Sequence, residues 1–153
     1  MIESTLRVYI VEDSPIFLKA IETLLAENDR IVIVGCAGEA SVAMREIPRL
    51  APEVVILDFQ LASGSGIDVL KSIKAQKESP VAIMFSSTIE PAFRRVSLKL
   101  GADFVFEKSR DFDRLSQLLR AMTISESERT SLRDVRAAAA LPDWSAAAGR
   151  NWD

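Results

Sequence analysis

Apolar positions along the chain follow two alternating periods. LRVYIV (6–11), IVIVGCA (31–37), EVVIL (53–57), VAIMFS (81–86) and DFVF (103–106) are short continuous runs rich in Val and Ile. Such runs predict strands covered on both faces. Between them, apolar residues fall three and four apart, the spacing of helices buried along one stripe. Ser14 and Pro15 supply an N-cap and a first-turn residue for a helix carrying Ile16, Ala20, Ile21, Leu24 and Leu25. A second helix runs from about Glu39 through Ala43, Met44 and Ile47 until Pro48 disturbs it. A third carries Ile67, Leu70 and Ile73 behind the turn GSG (64–66). The fourth starts near Pro91 with Phe93, Val96 and Leu100 on one face, and the fifth aligns Phe112, Leu115, Leu118, Leu119 and Met122.

This alternation predicts an α/β fold, a doubly wound (βα)5 five-stranded parallel sheet, because right-handed crossovers lay the helices on both faces. In the flavodoxin-like strand order 2-1-3-4-5, ligands sit beyond the carboxyl ends of the strands, where the order reverses between the first and third. Polar residues stand at those ends: Glu12 and Asp13 after the first strand, Asp58 after the third, Ser86 and Ser87 at the fourth and Lys108 after the fifth. A charge taken out of water costs several kcal/mol or more unless something pairs with it. Salt bridges or helix caps account for single members, such as Asp13 or Ser14, but not for the whole set at strand ends.

Composition narrows the chemistry this edge could perform. With 153 residues and 48% hydrophobic content, the chain fits one domain with a real core and a modest extension. It has no histidine and a single cysteine, which excludes Ser-His-Asp catalysis, histidine-ligated zinc and an internal disulfide. Cys36, inside IVIVGCA, reads as a small core residue. A net charge of −3 gives no basic footprint for nucleic acid. No apolar run is long enough to span a bilayer, and MIESTLRVYIVED lacks the layout of a secretory signal, so a cytoplasmic protein without a membrane partner is expected. Clustered carboxylates without histidine or thiolate suit Mg2+. A lysine and a hydroxyl opposite that ion would clamp a transferring phosphoryl group, with Asp58 as the nucleophile.

At these residues the sequence resembles the receiver domain of two-component response regulators, over about residues 5–122. Glu12 and Asp13, Asp58, Ser86 and Lys108 fall in the family's order, and Gly66, Gly101 and Ala102 match its spacing. The resemblance implies a phosphorelay protein that takes phosphate on Asp58 from a histidine kinase or histidine phosphotransfer protein. It implies Asp13 as principal Mg2+ ligand, helped by Glu12, Asp58 and the backbone carbonyl of Gln60, with Ser86 as switch hydroxyl and Lys108 on the phosphoryl oxygens. Gln60 and Thr88 would flank the path of attacking water. No enzyme activity follows beyond self-catalysed phosphorylation and slow dephosphorylation. Phosphorylation would alter the face made by helix 4, strand 5 and helix 5, and so its affinity for a downstream protein.

Three positions depart from the family's pattern. Ser109 stands where proline often follows the lysine, so that peptide bond is expected to be trans. Ala62 replaces another common proline, and Val105 occupies the place of a rotating aromatic, with Phe104 and Phe106 read as core residues. Two rival functions are a phosphorylation-independent interaction module and a haloacid-dehalogenase-type phosphatase. The latter needs a second aspartate two residues past the nucleophile, where this chain has Gln60. A dinucleotide site is disfavoured by EDSP after the first strand in place of a glycine-rich turn.

The predicted division is a receiver over 1–122 and a partly helical extension over 123–153, too short for an output domain. Ser125 and Glu128 fit a capping box, and Pro142 would end the Ala-rich helix that follows. Trp144 and Trp152 are expected to anchor this tail on the receiver or on a second copy of the chain, giving a homodimer.

Overall fold

The computed structural model describes residues 5–87 and 90–124. Its elements alternate along the chain: β1 Leu6–Val11, α1 Pro15–Ala26, β2 Ile31–Ala37, α2 Ala40–Leu50 and β3 Val54–Leu57, then α3 Gly66–Lys74, β4 Val81–Ser86, α4 Pro91–Lys99, β5 Phe104–Glu107 and α5 Phe112–Thr123. The strands form one parallel sheet in the order β2-β1-β3-β4-β5, as the alternation predicts. The tail segments, including Ser125, Glu128, Trp144 and Trp152, lie outside the described residues, as does Thr88.

Because successive strand side chains point to opposite faces, each strand feeds two cores. Val8, Ile10, Ile56, Ile83, Phe85 and Phe106 face one layer, with Ile21 and Leu25 of α1 and Leu115, Leu118 and Leu119 of α5. Tyr9, Val11, Val55, Leu57, Met84 and Val105 face the other, with Ala43 and Ile47 of α2 and Val69, Leu70 and Ile73 of α3. Phe104 and Phe106 are fully buried, the core role expected of them. No helix among the described residues is long and apolar enough to cross a membrane.

Four local expectations are corrected. β2 is an edge strand, so much of its apolar run is only half-covered and Cys36 is exposed, not a core residue. Ile16 is 81% exposed; the buried stripe of α1 passes through Ile21 and Leu25. Pro48 lies inside α2 without ending it. It sits in the last turn, and the chain continues to Leu50 before Ala51 turns left-handed at φ 47°. On α4, Val96 is exposed while Ser97 is buried. Phe93, Leu98 and Leu100 pack on the core beside Ser97, so the inward face is rotated from the apolar spacing.

The register of β1 against β2 slips between Val8 and Tyr9. Opposite the slip lies Gly35, where an added Cβ would stand 2.8 Å from the Tyr9 ring, so only glycine lets β2 pass the buried tyrosine. Beyond each strand the backbone pairing continues by one more residue. Glu12 N–H donates to Ala37 O at 2.9 Å, Asp58 N–H to Val11 O at 2.9 Å and Lys108 N–H to Ser86 O at 2.8 Å. The first residue past β1, β3 and β5 is thereby fixed to the sheet's carboxyl edge.

Candidate functional site

Asp58 is buried at that edge and both its oxygens are engaged. The Ser86 hydroxyl donates to Oδ1 at 3.0 Å, and the Lys108 ammonium donates to Oδ2 at 2.9 Å. Lys108, also buried, forms a second ion pair with Glu12 Oε1. Glu12 Oε2 accepts the Ser14 N–H at 3.2 Å. Asp13 is exposed, yet Glu12, Asp13 and Asp58 each present a carboxylate oxygen within 4.8 Å of the others. Residues scattered over almost a hundred positions therefore meet in one cleft.

The electrostatics of the cleft are unbalanced. Three carboxylates gather around one ammonium, so negative charge is in excess. Burial pushes the Glu12 carboxyl above its ordinary value, and the Asp58 charge adds to the rise. The Lys108 hydrogen bond and the Ser14 N–H oppose it. Hard oxygen donors in excess of positive charge are the donor set a magnesium ion takes.

The loop behind β3 is held close to Asp58. Gly66 donates to Phe59 O at 2.8 Å, and a Cβ there would stand 1.9 Å from the Asp58 carbonyl oxygen. No side chain fits without moving the Asp58 backbone. A bridge between Gln60 and Ser65 closes the same loop, and Gln60 is exposed. Ser65 then caps α3 by accepting the Ile67 N–H at 3.1 Å.

Two aromatic residues at the site were not singled out from the sequence. The Phe17 ring centroid lies 4.1 Å from Lys108 Nζ. The ring of Phe59, next to Asp58 in sequence, meets Phe93 of α4 edge-on, with centroids 4.4 Å apart at 64°. Phe17 was legible: it precedes Ile21 by four residues and Leu25 by eight, on the buried stripe that Ile16 misses by one. Val105 is buried, and its carbonyl accepts from Arg94 of α4 at 3.3 Å. No cis peptide bond occurs among the described residues, so Lys108–Ser109 is trans as expected.

A family model described as the response regulator receiver domain matches residues 8–120. Among curated proteins, the chain is similar to the protein-glutamate methylesterase/protein-glutamine glutaminase of Halalkalibacterium halodurans, 33% identical over 70% of this chain and 32% of that protein. A similarly named protein of Syntrophus aciditrophicus is 32% identical over 76% of this chain and 35% of its own length. The chain thus spans about a third of these relatives, whose names belong to the whole proteins. Among solved structures, the isolated receiver domain of RcsB from Salmonella enterica serovar Typhimurium, with the phosphomimetic BeF3-, superposes with a TM-score of 0.71. It is 25% identical over 78% of this chain and 88% of that one. The receiver domain of a NarL regulator from Mycobacterium tuberculosis shares the fold at a TM-score of 0.72 and 21% identity, over 78% of this chain and 97% of that one.

Proposed function

The chain belongs to the response regulator receiver domain family, and from that premise we propose that it accepts a phosphoryl group on Asp58 and passes the change to a protein partner. The observation that carries this reading is the Asp58 carboxylate held between Ser86 and Lys108 with Glu12 and Asp13 alongside. Receivers interact with histidine kinases and downstream effectors, so the donor is read as a phosphohistidine on a kinase or phosphotransfer protein. An Asp58 oxygen attacks phosphorus, the P–O bond forms as the P–N bond breaks, and the departing imidazole recovers a proton from solvent. Lys108 supplies a fixed positive charge to the phosphoryl oxygens, and Ser86 gives up Asp58 to hydrogen-bond the new group.

Asp13, Glu12 and Asp58 would hold Mg2+, with the Gln60 carbonyl completing the protein's share. Bound there, the ion would neutralise charge between carboxylate and phosphoryl oxygens. The inward turn of Ser86 would bias the loop after β4, and α4, β5 and α5 would present an altered face to the partner. The phosphatase reading is weakened because Gln60 has no carboxyl to act as general acid. The complete set of acceptor groups counts against a module that has lost phosphorylation. We read the chain as a cytoplasmic signalling protein without enzymatic turnover of its own, with residues 123–153 docking on the receiver or on a second copy.

The test is labelling with acetyl phosphate and Mg2+, read by intact mass. Wild type is expected to gain one phosphoryl group and Asp58→Asn none. Full labelling of Asp58→Asn would remove Asp58 from the role.

A further inference from the structure

We infer that Phe17 is a positioning residue for Lys108, its ring face holding the ammonium in register with the acceptor carboxylate. An ammonium has three donors. For Lys108, Glu12 and Asp58 supply carboxylate acceptors, and the Phe17 ring centroid stands 4.1 Å from Nζ, within the range of a cation–π contact. Lys108 is buried, so water does little to screen that attraction. The electron-rich ring face supplies directed attraction on a side where a fourth carboxylate would deepen the charge imbalance.

The ring's place is itself fixed by the acidic loop. Glu12 Oε2 accepts the Ser14 N–H at 3.2 Å, and Ser14 Oγ accepts the Phe17 N–H at 3.5 Å as the N-cap of α1. The contacts close on themselves: Glu12 to Ser14, Ser14 to Phe17, Phe17 to Lys108 and Lys108 back to Glu12. Lys108 follows β5 on a long flexible side chain, and without the ring its Nζ keeps charge but loses direction. When a phosphoryl group arrives, the ammonium must exchange a carboxylate oxygen for a phosphoryl oxygen. The ring contact survives that exchange and keeps Nζ over the acceptor.

This inference rests on Asp58 as phosphoacceptor, and its test separates the two. The rate of labelling by acetyl phosphate with Mg2+ is compared among wild type, Phe17→Leu and a protein carrying 3,4,5-trifluorophenylalanine at position 17. The fluorinated ring keeps the planar shape with only a small gain in volume but withdraws electron density from its face, so it probes the ring's charge distribution more than its packing. Labelling is expected to slow about three- to tenfold in both variants, a factor in keeping with a partly desolvated cation–π contact. The Lys108 ε-methylene proton resonances, shifted upfield by the ring in wild type, should move downfield in Phe17→Leu. A trifluorinated protein labelled at the wild-type rate would overturn the inference while leaving Asp58 in place. A wild type that takes no phosphate would overturn both.

Discussion

Two lysine–aspartate pairs, one buried and one part-buried, lie at opposite ends of the same sheet, and they differ in charge balance. At the amino ends of the strands, Asp103 Oδ2 accepts from Lys74 Nζ at 2.7 Å and from the Ala82 N–H at 2.9 Å. Lys74 also donates to Pro80 O at 2.8 Å. There the Lys74 ammonium meets a carboxylate, and backbone groups take up further bonding capacity. At the carboxyl ends, Lys108 is shared between Glu12 and Asp58 with Asp13 close by. The same pair of residue types is structural where charge and hydrogen bonds balance. Where negative charge is in excess, the pair is, on the proposed function, open to a cation and a phosphoryl group.

The largest expected effect breaks the Lys74–Asp103 pair. Asp103→Ala leaves Lys74 facing a buried void and should cost about 3–5 kcal/mol of stability, read by urea denaturation. Asp58→Asn should stay within about 1 kcal/mol of wild type, because Lys108 keeps Glu12 and one repelling charge is gone. A large destabilisation by Asp58→Asn would mean that both ends are structural.

Gly66→Ala should follow, at about 1–3 kcal/mol, since its Cβ would meet the Asp58 carbonyl oxygen at 1.9 Å and the loop must move. Unlike Asp103→Ala, this change should also slow labelling by acetyl phosphate, because it displaces the acceptor. Wild-type labelling in a destabilised Gly66→Ala protein would detach that glycine from the site.

The geometry of the carboxyl edge was legible because that edge is punctuation in an apolar pattern, whereas the Lys74–Asp103 pair was not read from the sequence. Glu12, Asp58 and Lys108 each follow the last apolar residue of a strand, and parallel pairing carries such positions to one edge. Periodicity fails where neighbours decide burial. The run IVIVGCA reads alike in a central or an edge strand, so the exposure of Cys36 depends on β2 having one partner. Ser97 is buried and Val96 exposed because α4 meets the core through Phe93, Leu98 and Leu100, a rotation its apolar residues do not encode. The Phe17 contact was hidden for a different reason, as an aromatic on a buried stripe ordinarily reads as packing.

A small effect is expected at a part-buried contact belonging to neither end, the Tyr9 hydroxyl donating to Glu46 at 2.8 Å. Burial, then the hydrogen bond and charge of Glu46, push the Tyr9 pKa well up. A pKa raised on folding gives stability that is full below the unfolded value, about 10, and is lost as pH rises toward the folded one. Tyr9→Phe should cost about 1 kcal/mol at neutral pH and flatten the fall in stability above pH ~10 in pH-dependent denaturation. An unchanged alkaline slope would assign that fall to other groups.

The contrast between the two ends is tested most directly by the effect of Mg2+ on stability. A ligand bound only by the folded state adds about 2.7 kcal/mol at a hundredfold excess over its dissociation constant. Thermal unfolding of wild type, Asp13→Ala and Lys74→Met is measured with and without saturating Mg2+. Wild type and Lys74→Met should be stabilised alike and Asp13→Ala far less, since the ion is expected at the edge holding Glu12, Asp13 and Asp58. A wild type indifferent to Mg2+, or an Asp13→Ala protein stabilised as strongly as wild type, would contradict the account.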